Sequence, residues 1–261
     1  MINEKANFAN RIHIPKYHRR RAVSRFAMGL TVVAMTFGLF WLAWILVTLF
    51  AQGIQGLMSM PVFGMDTPPP MVEGGLRNAI VGSIMISFAG LAVGTPIGIL
   101  TGVYLAEFDQ GGWLGRATRF MNDILLSAPS IVIGLFVFAL MVQGRGFSGW
   151  AGVVALAVIV IPVVVRTTES MLLLVPNNLR EAGYALGTPK YKLVSHITLK
   201  SAKAGVITGV LLAFARIAGE TAPLLFTALN NQYFSTDMSQ AMANLPNTIY
   251  QFAMSPYDNW H

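Results

Sequence analysis

Apolar and polar positions fall in long blocks along this chain rather than in short periods. Phe26 to Phe50 is unbroken apolar sequence, and further apolar runs follow at Asn78–Leu105, Asn122–Val142, Trp150–Val165 and Ala204–Leu229. A helix rises ~1.5 Å per residue, so about 20 apolar residues cross a ~30 Å hydrocarbon core. The pattern predicts an all-α polytopic membrane protein with spans at about 26–50, 78–105, 122–142, 150–165 and 204–229. The first run, at roughly 25 residues, is too long for the apolar core of a signal peptide and has no convincing cleavage site after it. It reads as a span, preceded by a basic tail at residues 1–25.

Composition sharpens this picture. The 261 residues are 54% hydrophobic and only 11% charged, with a mean hydropathy of +0.59. Soluble proteins carry about 25% charged residues. The net charge of +7 could suggest a nucleic-acid partner, but the basic residues form no patch. They gather in connecting segments, where they act as topology signals. Lys5, Arg11, Lys16, Arg19, Arg20, Arg21 and Arg25 face only Glu4 in the tail. Arg116 and Arg119 mark the short turn 107–119. Arg166, Arg180, Lys190, Lys192, Lys200 and Lys203 mark the connection 166–203. The alternate loops hold only Arg77 and Arg145. The expected orientation places the N-terminus and the connection 166–203 in the cytoplasm. Cysteine is absent, so no thiolate site exists. His13, His18, His196 and His261 lack metal-ligand spacing, and no metal site is expected.

The spans carry internal signals. Gly90, Gly94, Gly98 and Gly102 recur every fourth residue, so one helix face admits close approach of another helix. That helix could belong to the same subunit or to a second one. Pro96, Pro129 and Pro162 each remove a backbone donor and are expected to kink their helices.

The fifth run contains "LAFARIAGETAPLLFTA", whose ionisable residues are Arg216 and Glu220. Arg216 falls near the middle of that run. A charge at a helix centre costs ~2.5–3.5 kcal/mol even on insertion scales, so it is expected to face protein or a wet cavity. A spacing of four puts Arg216 and Glu220 on one helix face. They could form a self-neutralising structural pair. Alternatively, the arginine fork could hold a tetrahedral oxyanion, with Glu220 neutralising it between passages and Thr221 adding a hydroxyl. Arg166, ending the fourth run, reads equally as a snorkelling anchor or as an inner way-station for the anion.

The polar segment "EAGYALGTPKYKLVSHITLK", Glu181 to Lys200, predicts two short helices. Gly187 would stop the first and Pro189 would open the second. Such a knob offers a partner something to grip. The segment resembles the EAA loop of inner-membrane permease subunits in binding-protein-dependent ABC importers, through Glu181, Ala182, Gly187, Ile197 and Leu199 at the family spacings. Gly183 stands where alanine is usual and Lys200 where proline is usual. The stretches "NDILLSAPSIVIGLFVF", "RTTESMLLLVPNNLREAGYALGTPKYK" and "FARIAGETAPLLFTALNNQYFSTDM", with the loop motif "TPPP", are similar to the A-type permease family of high-affinity phosphate importers.

The resemblance implies a type I ABC importer permease fold, with five spans in this chain of an expected six, because the family continues past "MSPYDNW" into a further span. It implies a permease domain at 26–261 whose connection 166–203 docks on an ATPase through Glu181, Ala182 and Gly187. Arg216 would take part in phosphate passage, with Arg166 and Glu220 at neighbouring positions of interest. The implied partners are a second homologous permease, an ATPase dimer carrying ATP and magnesium, a periplasmic phosphate-binding protein and membrane lipid. The implied location is the bacterial inner membrane. The chain has no G-x-x-x-x-G-K-[ST] motif, so ATP hydrolysis is expected from another polypeptide, and no cofactor is expected here. A permease for another oxyanion or solute, or an ion-coupled channel or secondary transporter, would share many of these features.

Overall fold

A computed structural model describes residues 14–59, 62–69, 72, 74–109 and 111–256. The start of the basic tail, with Glu4, Lys5 and Arg11, lies outside the described residues, as do Pro70, Glu73 and Asp258. The chain divides into two units, Met1–Met60 and Pro61–His261. The described residues of the first form a single helix, α1 (Ile14–Ser59). Its stretch Lys16–Ile54 is long and apolar enough to cross a membrane. The expected boundary between tail and span, at residue 25, falls inside this continuous helix: Arg19, Arg20, Arg21 and Arg25 are helical and exposed.

In the second unit, α2 (Arg77–Val103) runs on through a π-helical turn, Tyr104–Phe108. Helix α3 (Trp113–Ser127) follows, then α4 (Ser130–Val137) with a π turn at Phe138–Val142. Helix α5 (Gly149–Leu173) is the hub, with most of its apolar stretch buried. Its start is capped by Ser148, whose side chain accepts the Ala151 amide at 3.2 Å. The short α6 (Asn177–Ala185) and α7 (Lys190–Leu193) come next. A π turn, Val194–Thr198, leads into α8 (Leu199–Ala218). The chain ends in α9 (Ala222–Thr227) and α10 (Leu245–Ala253).

The glycine stripe of α2 is used inside the subunit. A β-carbon on Gly94 would sit 2.8 Å from Val160 Cγ1, and one on Gly98 would sit 2.7 Å from Val164 Cβ. Gly90 meets Leu156 and Gly102 meets Thr168 in the same way. Both numbers of each pair rise together, so α2 and α5 run parallel. Helix α8 runs antiparallel to α5, since Gly205 closes on Met171 and Gly209 on Thr167. These directions match the expected topology. The shared core joins Ile86, Leu156, Val160, Val164, Ala213, Ile217 and Leu224.

Three span boundaries differ from expectation. The run 122–142 is not one helix: α3 and the Ser130–Val142 segment meet at 103°. Pro129 is the N-cap of α4 in extended backbone, with φ −59° and ψ 133°, and the proline ring disfavours helix at the preceding Ala128. Pro96 and Pro162, by contrast, stay inside their helices. The fourth run does not stop at 165, because Thr168, Glu169 and Leu172 remain buried and α5 continues to Leu173. The fifth run, 204–229, is broken as well. Helix α8 ends at Ala218, with Gly219 as its C-cap, and α9 begins afresh at Ala222 with Pro223 in its first turn.

Candidate substrate pathway and coupling surface

Arg216 lies in the last turn of α8, not in the middle of a helix. Its depth is nevertheless central. The contacts Gly205–Met171 and Gly209–Thr167 set the register of α8 on α5. Continued upward, they bring Arg216 level with Val160, which packs on Gly94 in the middle of α2. By the same register Arg166 lies about 9 Å away along the axis, toward the α6 end, at ~1.5 Å per residue. The backbone breaks at Gly219 and Glu220 beside Arg216. The last carbonyls of α8 lack helical partners there, and a cation at that end meets the favourable pole of the helix dipole.

The expected pair forms, but loosely. Arg216 Nε stands 3.8 Å from Glu220 Oε1, with the side chains 44% and 16% exposed. That is ion-pair range and too long for a hydrogen bond. The arginine therefore keeps its fork of donors available at the surface. Thr221 is half-buried just before α9, and Arg166 is exposed on α5. Broken backbone at membrane depth is tolerated where it is buried in protein or lines a water-filled cavity. Here α9 packs on α4, and a β-carbon on Gly134 would sit 2.6 Å from Pro223 Cα. Two interrupted spans thus support each other beside Arg216.

The far side of α9 is held by a polar lock that the sequence pattern does not reveal. Leu229 adopts φ 54°, and its carbonyl accepts from Asn244 Nδ2 at 3.1 Å and Asn247 Nδ2 at 2.5 Å. Asn244 also caps α10 by accepting the Asn247 amide at 3.1 Å.

The knob has the expected form. Helix α6 ends at Ala185, and Gly187 follows in the left-handed region with φ 72°. Pro189 is the N-cap of α7. Glu181, Ala182 and Gly187 are exposed. Gly183 is buried, and a β-carbon there would sit 2.8 Å from Leu193 Cδ1.

Similarity to known proteins places this geometry. The family described as binding-protein-dependent transport system inner membrane component matches residues 94–255. The phosphate transport system permease protein PstA of Yersinia pestis is 57% identical over 243 residues, 92% of this chain and 82% of that protein. PstA of Pasteurella multocida is 55% identical, covering 94% of this chain and 88% of the relative. PstA of Haemophilus influenzae is 53% identical, with 94% and 87% covered. The chain belongs to the PstA family of phosphate transport system permeases. Among solved structures, an inward-facing form of the MetNI methionine ABC transporter aligns with a TM-score of 0.58 at 22% identity, covering 70% of this chain and 82% of that one. That likeness shows the fold, an ABC importer permease of type I.

The PstA-family chain also carries charged groups whose partners no spacing reveals. Arg119 on α3 donates to Glu169 Oε1 on α5 at 2.7 Å, to Asp109 Oδ2 at 2.7 Å and to the Leu105 carbonyl at 3.0 Å. The Asp109 and Glu169 side chains are only 3% and 6% exposed. The hydrogen bond from Arg119, aided by the Gly112 amide, holds the Asp109 carboxyl below the usual aspartate range. Among the described residues, no group of three or more His, Asp or Glu side chains could hold a metal ion.

Proposed function

We propose that this chain is the membrane-spanning permease subunit of an ATP-driven importer that moves inorganic phosphate across the cytoplasmic membrane. The observation that carries this reading is Arg216. An always-charged fork stands at mid-depth beside a helix break, with its nearest carboxylate too far away to occupy its donors. The names of the PstA relatives supply the solute. An oxyanion entering from the outer side would exchange water for the Arg216 donors, with Thr221 just past the break at the start of α9. Glu220 weakens the hold, and conduction needs release as much as entry. Arg166, about 9 Å further along the axis, forms the next station.

In this reading the connection 166–203 is cytoplasmic, as is the N-terminus. Glu181, Ala182 and Gly187 form the surface that docks on an ATPase, which carries ATP and magnesium. A second homologous permease completes the path, and a periplasmic phosphate-binding protein delivers the anion. The chain itself needs no cofactor and performs no catalysis.

Uptake of radiolabelled phosphate into proteoliposomes tests the reading. The vesicles would hold this subunit with the second permease, the ATPase and the binding protein. We expect uptake that requires ATP, survives collapse of ion gradients and yields little to excess sulfate. Uptake driven by an ion gradient without ATP would contradict the importer assignment. Preference for sulfate would leave the importer and remove phosphate.

A further inference from the structure

Arg180 stands immediately before Glu181 and is not part of the exposed docking surface. Its side chain is 17% exposed, and that of its partner Glu107 is 5% exposed. Nη2 donates to Glu107 Oε1 at 2.8 Å and to the Leu172 carbonyl at 2.9 Å. Nη1 donates to the Val175 carbonyl at 2.6 Å and to Asn177 Oδ1 at 3.2 Å. Nε lies 3.3 Å from both Glu107 oxygens. One guanidinium therefore ties α6, which carries it, to the π turn that ends α2, to the last turn of α5 at Leu172 and to Val175 just past that helix.

A second contact reaches the same turn. Lys190, opening α7, lies with Nζ 4.5 Å from the centre of the Phe108 ring. Both halves of the knob thus hold consecutive residues, Glu107 and Phe108. The turn is braced from its other side by Arg119, through the Leu105 carbonyl and Asp109. Arg180 and Lys190 thus connect the knob directly to the end of α2, and Arg180 also reaches the end of α5.

We propose that Arg180 is the positioning residue that carries movement of the knob into the spans, and that the Arg180–Glu107 joint is the mechanical link between ATP hydrolysis and opening of the path. This rests on the reading of the connection 166–203 as the ATPase-docking segment. The planar fork is essential, because a lysine has one compact charge and cannot hold a carboxylate and two carbonyls together.

The test uses the complete transporter in proteoliposomes, with ATP hydrolysis and phosphate uptake measured on the same preparation. The variants are Arg180→Gln, Arg180→Lys and Glu107→Gln. We expect the ATPase to copurify with each. We expect phosphate moved per ATP to fall about tenfold or more in Arg180→Gln, which removes every contact of the joint at once. Glu107→Gln should fall less, and Arg180→Lys should not restore the ratio. Hydrolysis and uptake falling in proportion, with the ratio intact, would make the joint merely structural and overturn the proposal. Loss of the ATPase from Arg180→Gln would also overturn it, by placing Arg180 in docking. Glu181→Lys examines the docking reading separately and should release the ATPase. If Glu181→Lys keeps the ATPase and full uptake, the docking reading fails, and the link proposed for Arg180 fails with it. If Glu181→Lys releases the ATPase while Arg180→Gln keeps a normal ratio, only the link fails.

Discussion

An arginine inside an apolar run is costly, and the neighbours of Arg216 show what offsets its charge. Arg216 is placed at a helix end, where unpaired carbonyls favour a cation, and Glu220 partly offsets its charge at 3.8 Å. Arg119 and Arg180 are handled oppositely: each is saturated by carboxylates and carbonyls at hydrogen-bond distance. This contrast sets Arg216, whose donors are largely unengaged, apart from two arginines whose contacts are made within the fold. It also gives a pH prediction. Asp109 is held low chiefly by the hydrogen bond from Arg119, so its folded pKa lies below the ordinary value of about 3.9. Its contribution is present above that value and is lost as pH falls through the folded pKa. Acid unfolding in detergent, followed by circular dichroism, should begin at a higher pH in Arg119→Gln than in the unaltered chain. Coincident acid limbs would show that the pair adds nothing to acid resistance.

Elements are where sequence and structure part. The glycine period at 90, 94, 98 and 102 was legible as a packing face, and the directions of α2, α5 and α8 followed from the placement of basic loops. Which helix fills the glycine face is a long-range fact, and only the contacts with Leu156, Val160, Val164 and Thr168 supply it. Pro129 signalled an interruption but not a bend of 103°, and the long apolar run around Arg216 and Glu220 hid the break at Gly219. Hydropathy also under-read α5, where the buried Thr168 and Glu169 look like the start of a polar loop. Gly187 and Pro189 were readable as the turn between two short helices, whereas hydropathy put Arg216 in the middle of a helix and the structure puts it in the last turn of α8. The partners of Arg119 and Arg180 were not readable, because Glu169 and Glu107 lie 50 and 73 residues away in sequence. The packing makes a prediction. Gly98→Val forces side chain into Val164 Cβ, and overpacking of this kind costs ~1–3 kcal/mol. Thermal unfolding in detergent should fall by several degrees, whereas Gly38→Val, in a helix where an added β-carbon meets nothing within 4 Å, should leave the transition unchanged. Equal effects would show that the α2–α5 contact is not tight.

At the scale of the whole molecule, three features line up along one axis. The knob of α6 and α7 sits at one end. The π turn and its two arginines tie that end to α2, α3 and α5. The break beside Arg216 lies at mid-depth, reached through α8, which continues from α7 without interruption across Lys190–Ala218. The knob is thus joined to α2 and α5 through Arg180, and its second half is continuous with α8. Such an arrangement suits a subunit that converts a partner's closure into opening of a path.

The claim at the centre of this account is that Arg216 is held for the anion. The direct measurement is ATP-dependent phosphate uptake by the assembled transporter with Arg216 intact or changed to Gln, with assembly checked by copurification of the partners. The account predicts an assembled variant whose uptake falls by about a hundredfold or more, the scale seen when an oriented charge-assisted donor is removed. An assembled variant that takes up phosphate at the unaltered rate would contradict it, and would leave the Arg216–Glu220 pair as structure alone.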